Sequence, residues 1–371
     1  MLTADRVLKL AHDLDSIVEN LDISESRYLE AVKRYEAVGS WLSSEKSPLL
    51  KLKFIPRIYS QGSFRLGTVV RPINNKDECD IDLVCLLTAE EQKSITSKEL
   101  KEIVGESLKQ NGIYAKLLDK EGRRCWTLNY ENEFHLDILP AILDVELNKV
   151  GGLYKTAIKI TDKAESVYKW EPSNPDGYAT WFSERQKLIF ASLKKSMAAS
   201  LKESIDEVPD YKVRTPLQKS VQVLKRHRDV YFDGKENKPA SIIITTICAV
   251  LYNGQADVYT ALHDILSDFD IEQYKKEEGY YLANPSNIAE NFMERWNEDD
   301  SLPLAFFEWL EDAKNDFCDT GLIRKSSADV TTILEAKLGT TIKTTRNNLV
   351  NSVPLVSINT GNVSKRQPWG L

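Results

Sequence analysis

The 371-residue sequence predicts an α/β (α+β) protein: a mixed-sheet lobe braced by N-terminal helices, followed by a helical lobe. Two observations in the first half predict the sheet lobe. Short apolar runs of strand length lie between residues 80 and 140, interrupted by one segment of helical period. Strands alternating with a single helix, then more strands, fit a mixed sheet. In the second half, apolar residues recur at helical spacing over long stretches, which predicts a helical lobe over 161–340.

The elements follow in order. Val7, Leu10, Leu14, Ile17 and Leu21 keep the 3,4 spacing of an amphipathic helix, and Tyr28, Val32, Tyr35, Val38 and Leu42 repeat it after a break at Asp22–Ser24. The pattern stops after two helices, so it reads as packing across a domain, not as a coiled coil. Tyr59 to Val70 reads as a turn region, and Asp80 to Leu87 as a core strand. Thr96 and Ser97 are caps for a helix with apolar face Leu100, Ile103, Val104 and Leu108, stopped by Asn111-Gly112. Strands are expected at 113–118, 124–130 and 134–140, with Glu131–Glu133 as a hairpin connection. The lobe formed by 1–160 ends there. Trp170 to Trp181 is punctuated by Pro and Gly and reads as a loop. Thr215-Pro216-Leu217-Gln218 opens a helix with a capping box and proline at its first position. Ser241 to Leu251 reads as a buried helix by its length and surroundings. Further helices are expected at 288–296, 304–317 and after Ser326. From Thr341 to the end, 341–371, the composition suits an extended or mobile tail.

Composition narrows the classes. Hydrophobic content of 42% and charged content of 28% are ordinary for a globular protein. No segment reaches the roughly 20 apolar residues of a membrane helix, and MLTADRVLKL lacks a signal-peptide pattern, so no membrane is expected. Cys79, Cys85, Cys125, Cys248 and Cys318 lack metal-ligand or disulfide spacing and read as reduced cysteines of a cytoplasmic protein. A net charge of −7 argues against constitutive nucleic-acid binding. Basic clusters at 116–124 and 219–228 are better matched to triphosphates.

The chemistry concentrates in QGSFRLGTVVRPINNKDECDIDLV, residues 61–84. Residues i and i+2 of a strand share a face, so Asp80 and Asp82 point the same way from a strand that runs on into the core. Paired carboxylates repel, and a divalent cation makes such a pair favourable. Gly62 and Ser63 upstream offer a close-approach backbone and a hydroxyl, which suit a phosphate. Asp137 lies on the second strand of the hairpin with Leu136 and Ile138 facing away from it, and it completes a carboxylate set. Two Mg²⁺ ions about 3.5–4 Å apart on such a set would activate an attacking hydroxyl and stabilise a leaving pyrophosphate. Phosphate cradle followed by metal carboxylates points to nucleotidyl transfer.

This Gly-Ser…Asp-x-Asp…Asp order resembles the DNA polymerase β-like nucleotidyltransferase superfamily. The surrounding QGSFRLGTVVRP, DIDLV and FHLDILPA resemble the bacterial cGAS/DncV-like nucleotidyltransferases (CD-NTases), which make cyclic oligonucleotide messengers in CBASS anti-phage operons. The resemblance runs from about Ile23 to about Tyr252 and is densest in the first 140 residues. It implies a polymerase β-like core with its active site in the cleft facing the helical lobe. It also implies that ATP and/or GTP are joined into a cyclic di- or trinucleotide with release of pyrophosphate. Asp80, Asp82 and Asp137 would be catalytic and would hold two Mg²⁺ ions, with Mn²⁺ as an alternative. Gln61, Gly62, Ser63, Lys225 and Ser241 would contact the nucleotide, Gln61 by buttressing the turn and Lys225 and Ser241 by meeting the triphosphate.

Other readings stand beside these. Relatives often place a base-stacking aromatic after that serine, whereas this chain has Ile242, which leaves Tyr154, Trp170 or nothing as a base platform. Arg65 fits a phosphate contact or a structural pair. His135 shares the face of Asp137 as an orienting residue or a ligand; His12, His227 and His263 show no ligand spacing. An alternative activity is transfer of a single nucleotide to a protein, RNA or small-molecule acceptor. An inactive binding module is disfavoured by the intact Asp80, Asp82 and Asp137. Some relatives are conjugated through a flexible C-terminus by ubiquitin-transfer-like partners, so regulatory or conjugating proteins from the same operon are expected to act on the tail, which ends Pro-Trp-Gly-Leu.

Overall fold

The sheet grows from two parallel strands, β2 (Cys79–Ala89) and β4 (Phe134–Leu143), the second carrying most of the pairing. β1 (Phe54–Ser60) runs antiparallel on the far edge of β2. The first half of β4 pairs with β3 (Trp126–Tyr130), and its last residues pair with β5 (Ile158–Ala164), both antiparallel. β6 (Val167–Ser173) closes the sheet against β5, giving the order β1-β2-β4-β5-β6 with β3 also on β4. This computed structural model describes residues 4–73, 79–89, 95–130, 134–318 and 327–340. The hairpin connection at 131–133 and the tail from 341 lie outside the described residues.

A parallel pair needs a crossover, and helix α5 (Ser97–Lys109) lies in the connection that provides it. Its start is the expected capping box: the Glu99 amide donates to Thr96 Oγ1 at 3.2 Å, and the Thr96 amide donates to Glu99 Oε2 at 2.8 Å. Leu100, Val104 and Leu108 are fully buried. They share one core with Ile81, Leu83 and Cys85 of β2, Leu128 of β3, Leu136 and Ile138 of β4, and Val38 and Leu42 of α2 (Glu25–Leu42). The opposite face of the sheet has its own apolar cluster, Val84, Leu86, Leu139, Ala141, Ile158 and Ile160. Strand parity therefore sorts β2 into two faces, and Asp80 and Asp82 belong to the second. Single turns α3 (Pro48–Lys51), between α2 and β1, and α7 (Val145–Asn148), between β4 and β5, are each started by a side-chain cap, from Ser47 and Asp144.

Three expected elements differ. The strand at 113–118 is instead a single turn, α6 (Tyr114–Leu117), because Asn111 Oδ1 accepts from the amides of Ile113 and Tyr114 and winds the chain. Trp170–Trp181 is not a loop: β6 runs to Ser173 and helix α8 (Pro175–Leu201) follows at once, with proline in the first helical position. The helix expected at 288–296 is a strand, Asn287–Asn291, and a 3₁₀ turn, Glu294–Asn297. There Asn284 and Asn287 accept backbone amides two residues on, a local bonding that competes with a helix start.

The chain divides into two compact units, Ile23–Trp181 with Ala283–Asn291, and Met1–Asp22 with Phe182–Leu282 and Phe292–Leu371. These limits differ from the 1–160 and 161–340 lobes. β5 and β6 stay with the sheet because their backbone groups pair with β4 and with each other. α1 (Ala4–Leu21) falls in the helical unit, where it packs on α9 (Pro216–Tyr231) and α11 (Val258–Asp268) and buries Leu10, Leu14, Ile17 and Leu21. The same unit contains α10 (Ser241–Leu251), α12 (Ser301–Phe317) and the helix Ser327–Leu338. All five cysteines are free thiols. No helix among the described residues is long and apolar enough to cross a membrane.

The contact of α5 with β3 depends on Gly105, where an added Cβ would run into the ring of Trp126. The Trp126 indole also donates to the Lys101 carbonyl at 2.9 Å, so the ring has little room to move away. Gly105→Ala should therefore destabilise the protein by about 1–3 kcal/mol, despite the roughly 1 kcal/mol that alanine gains over glycine in a helix. Thermal unfolding should show a fall in Tm; an unchanged or raised Tm would mean that this packing does not constrain the fold.

Candidate active site

The site forms where β1 turns over the start of β2. The Gln61 amide donates to the Asp82 carbonyl at 2.8 Å, which extends the β1–β2 pairing by one residue. The chain then turns sharply at Gly62, whose φ of +59° favours glycine, and enters the short helix α4 (Gly62–Leu66). Gly67, with φ +65°, ends α4 in the left-handed conformation. Phe64 anchors the turn by stacking on Tyr28 of α2 at 4.8 Å between ring centroids, with Tyr35 edge-on at 6.4 Å. These contacts seat Gly62 directly against β2: a Cβ there would collide with Asp82 Oδ2. The backbone beside Ser63 thus meets the carboxylate with no side chain between, and no described residue takes up the Ser63 hydroxyl.

Register does the rest. In the parallel pair, Asp82 is the direct partner of Asp137, and Asp80 that of His135. In the antiparallel pair, Thr127 opposes Asp137 and Asn129 opposes His135. Two rows therefore cross the sheet on one face: Thr127–Asp137–Asp82 and Asn129–His135–Asp80. Leu136 and Ile138 are fully buried on the opposite face, as the sequence predicts, while Asp137 itself is half-buried. Asp80 is the exposed member, its side chain 70% accessible. His135 does not approach as a partner of Asp137; its Nδ1 lies 3.4 Å from Asp80 Oδ1.

Asp137 has a neighbour that motif reading missed. Thr127 Oγ1 donates to Asp137 Oδ1 at 2.5 Å, and Cys125 Sγ lies 3.8 Å from Thr127 Oγ1. Burial pushes the Cys125 thiol up to about 11, with the Asp137 charge adding to the shift, so it stays protonated at neutral pH. The signal was available by counting. With a three-residue connection after Tyr130 and Phe134 opposite it, the third residue back meets the third residue on.

Asp80, Asp82 and Asp137 stand on one face, with a glycine backbone closing over Asp82, and their carboxylates are hard oxygen donors of the kind Mg²⁺ or Mn²⁺ takes, though their ligand atoms do not all lie within 4.8 Å of one another. Arg65, by contrast, is engaged structurally: it forms a close ion pair with Asp176, which Arg57 also meets at 3.5 Å. Trp170 lies in β6 within this unit, and Tyr154 in a 3₁₀ turn, Gly152–Thr156.

Lys225 and Ser241 belong to the helical unit. Lys225 is buried along α9, and Ser241 opens α10 as its first residue, with Ala240 at the cap. Arg228 Nη1 donates to Ser241 Oγ at 2.7 Å and to the Pro239 carbonyl at 2.9 Å, which leaves the serine its own proton to donate. The same unit groups His227, Asp312 and Asp316, with ligand atoms within 4.8 Å of one another. Their chemistry does not suit a metal. Trp309 Nε1 donates to His227 Nδ1 at 3.0 Å, so the ring proton sits on Nε2, which faces Asp316 at 2.9 Å. Lys337 supplies the cation, 2.7 Å from Asp316, and the group clasps the helix Ser327–Leu338 to α12.

Residues 56–140, which span the Gly-Ser turn and all three carboxylates, match the family described as cyclic GMP-AMP synthase DncV-like, nucleotidyltransferase domain. The chain is 29% identical over 322 residues to a c-di-GMP synthase of Roseivirga ehrenbergii, covering 86% of this chain and 81% of that protein. It is 26% identical over 315 residues to the cyclic dinucleotide synthase CdnG of Bradyrhizobium diazoefficiens, covering 78% and 71%. The solved structure of that CdnG with GTP matches this fold with a TM-score of 0.70 at 19% identity, over 89% of this chain and 95% of that one. Vibrio cholerae DncV, solved with the linear intermediate pppA(3′,5′)pG, matches with a TM-score of 0.52 at 15% identity, over 91% and 88%.

Sheet, turn and matched segment together define a polymerase β-like nucleotidyltransferase. More particularly, residues 56–140 match the DncV-like nucleotidyltransferase domain, and most of the chain is similar to cyclic dinucleotide synthases.

Gly62 then has a sharp test. Gly62→Ala adds a left-handed penalty of about 1–2 kcal/mol and forces the new methyl against Asp82. Nucleotidyl transfer, read as pyrophosphate release, should fall at least about ten-fold, equivalent to about 1.4 kcal/mol in the barrier, in a protein that still unfolds cooperatively. Wild-type turnover would show that the turn need not lie against Asp82.

Proposed function

We propose that this enzyme joins two molecules of GTP into cyclic di-GMP, releasing two pyrophosphates, as a cytoplasmic messenger synthase in anti-phage defence. The observation that carries the chemistry is the row in which Asp82 and Asp137 stand as direct cross-strand partners beneath Gly62. Support for guanine comes from the relative named as a c-di-GMP synthase and from the GTP complex of the cyclic dinucleotide synthase CdnG.

In this reading Asp80, Asp82 and Asp137 are the catalytic residues and hold two Mg²⁺ ions, or Mn²⁺. When bound, the cations lower the pKa of the attacking hydroxyl and offset charge on the departing pyrophosphate. The Gly62–Ser63 amides and hydroxyl hold the triphosphate, Gln61 braces the turn through its backbone bond to Asp82, and Lys225 and Ser241 serve as further phosphate contacts. A ribose hydroxyl of one GTP attacks the α-phosphorus of the other. The new P–O bond forms as the bond to the bridging oxygen breaks, and pyrophosphate leaves. The linear product keeps a triphosphate and a free hydroxyl, so a second transfer of the same kind closes the ring.

Mass spectrometry of reactions with GTP alone, ATP alone and the mixture tests this directly. With GTP alone, a linear dinucleotide triphosphate should rise and decay into c-di-GMP. Label appearing only when a protein, RNA or small-molecule acceptor is added would favour single-nucleotide transfer instead, and ever longer linear chains would mark a polymerase. In the same assay Asp80→Asn with Asp82→Asn should leave a folded protein and cut turnover by orders of magnitude. Retention of more than roughly a tenth of activity, a loss below about 1.4 kcal/mol, would remove these carboxylates from the mechanism.

A further inference from the structure

We infer that Thr127 is a positioning residue of this site, holding the Asp137 carboxylate in its working orientation through the hydroxyl. The inference rests on the reading of Asp137 as a metal carboxylate and extends the site to a third strand, β3.

The geometry runs in one direction only. An ionised carboxylate accepts hydrogen bonds and cannot donate them, so the proton in the 2.5 Å contact belongs to Thr127 and lies on Asp137 Oδ1. The hydroxyl oxygen keeps its lone pairs, and the neighbouring Cys125 thiol, 3.8 Å away, is the group placed to donate to it. Asp137 Oδ1 is occupied by a donor, so the carboxylate is pinned about its terminal torsion, which in an unpinned aspartate is broad.

Two features of the fold make Thr127 suited to this. Its backbone is fixed by the β3–β4 ladder directly opposite Asp137, while Trp126 and Leu128 on either side are buried in the core. Its χ1 is restricted by β-branching, so the hydroxyl needs little further ordering to stay on the carboxylate. A hydrogen bond to a charged group is stronger than one between neutral groups.

The test uses the full chain and reads metal binding apart from turnover. Mn²⁺ is titrated by electron paramagnetic resonance in the presence of the α,β-methylene analogue of GTP, and GTP turnover is measured in parallel. Thr127→Val keeps the shape and suits a strand but removes the hydroxyl. It should weaken Mn²⁺ binding and lower kcat, each about ten-fold, with KM for GTP within about two-fold. Thr127→Ser, which restores the hydroxyl without the methyl, should recover most of both. Wild-type Mn²⁺ affinity and kcat in Thr127→Val would overturn the inference. So would equal losses in Thr127→Ser and Thr127→Val, since the methyl and not the hydroxyl would then matter. Asp137→Asn separates the two levels of the argument. If it leaves Mn²⁺ binding intact, Asp137 is not a metal carboxylate and both readings fall. If it abolishes binding while Thr127→Val changes nothing, only the role of Thr127 is lost.

Discussion

The parallel register of β2 on β4 places two aspartates opposite each other, and the rest of the site is arranged around that pairing. Like charges directly opposite each other on paired strands repel and cost stability. What holds them there is on the other face of the same strands. Ile81, Leu83, Leu136 and Ile138 are all buried in the core shared with α5 and α2, each contributing about 1.5–3 kcal/mol. A slip of one residue would exchange these side chains for Asp80, Asp82 and Asp137. The apolar face therefore sets the register, and the carboxylates accept the repulsion that results.

The same economy extends outward. β1 continues one residue past its last pair, so the chain reaches the level of Asp82 before it turns. The turn needs a left-handed residue without a Cβ, and its aromatic anchor, Phe64 on Tyr28, belongs to the helix that covers the sheet. On the far side β3 brings a hydroxyl to Asp137. Each contributor is fixed by backbone pairing or aromatic packing, so little of the geometry rests on long flexible side chains. Two cationic side chains that flank the turn in sequence, Arg57 and Arg65, are engaged with Asp176.

In the helical unit, charge is handled differently. α9 buries Lys225, Arg226, His227 and Arg228 in succession. Such a run is tolerable where partners are supplied, and two of them show how. His227 sits between Trp309 and Asp316, which fixes its tautomer, and Arg228 spans Pro239, Ser241 and Asp229. No spacing along the chain announces the His227 cluster, since its carboxylates come from a helix some ninety residues away.

Much of this protein was legible in one dimension because its signals are local or periodic. The α1 and α2 stripes, the Thr96 and Thr215 capping boxes, the hairpin partners of Tyr130 and Phe134, and the i, i+2 pairing of Asp80 and Asp82 all depend on residues within a few positions of each other. Where local signals misled at these two places, a side chain had rebonded the backbone, as Asn111 does at α6 and Asn284 does before the Asn287–Asn291 strand. The limits of the units were not legible either, because the pairing of β5 with β4 and the packing of α1 on α9 join segments far apart in the chain. The sequence by itself determined on which face of each strand Asp80, Asp82 and Asp137 stand, since strand parity is a local property. Only the tertiary structure decided who stands beside whom, Asp82 with Asp137, His135 with Asp80, Thr127 with Asp137, because register between strands is chosen by the burial of the whole sheet.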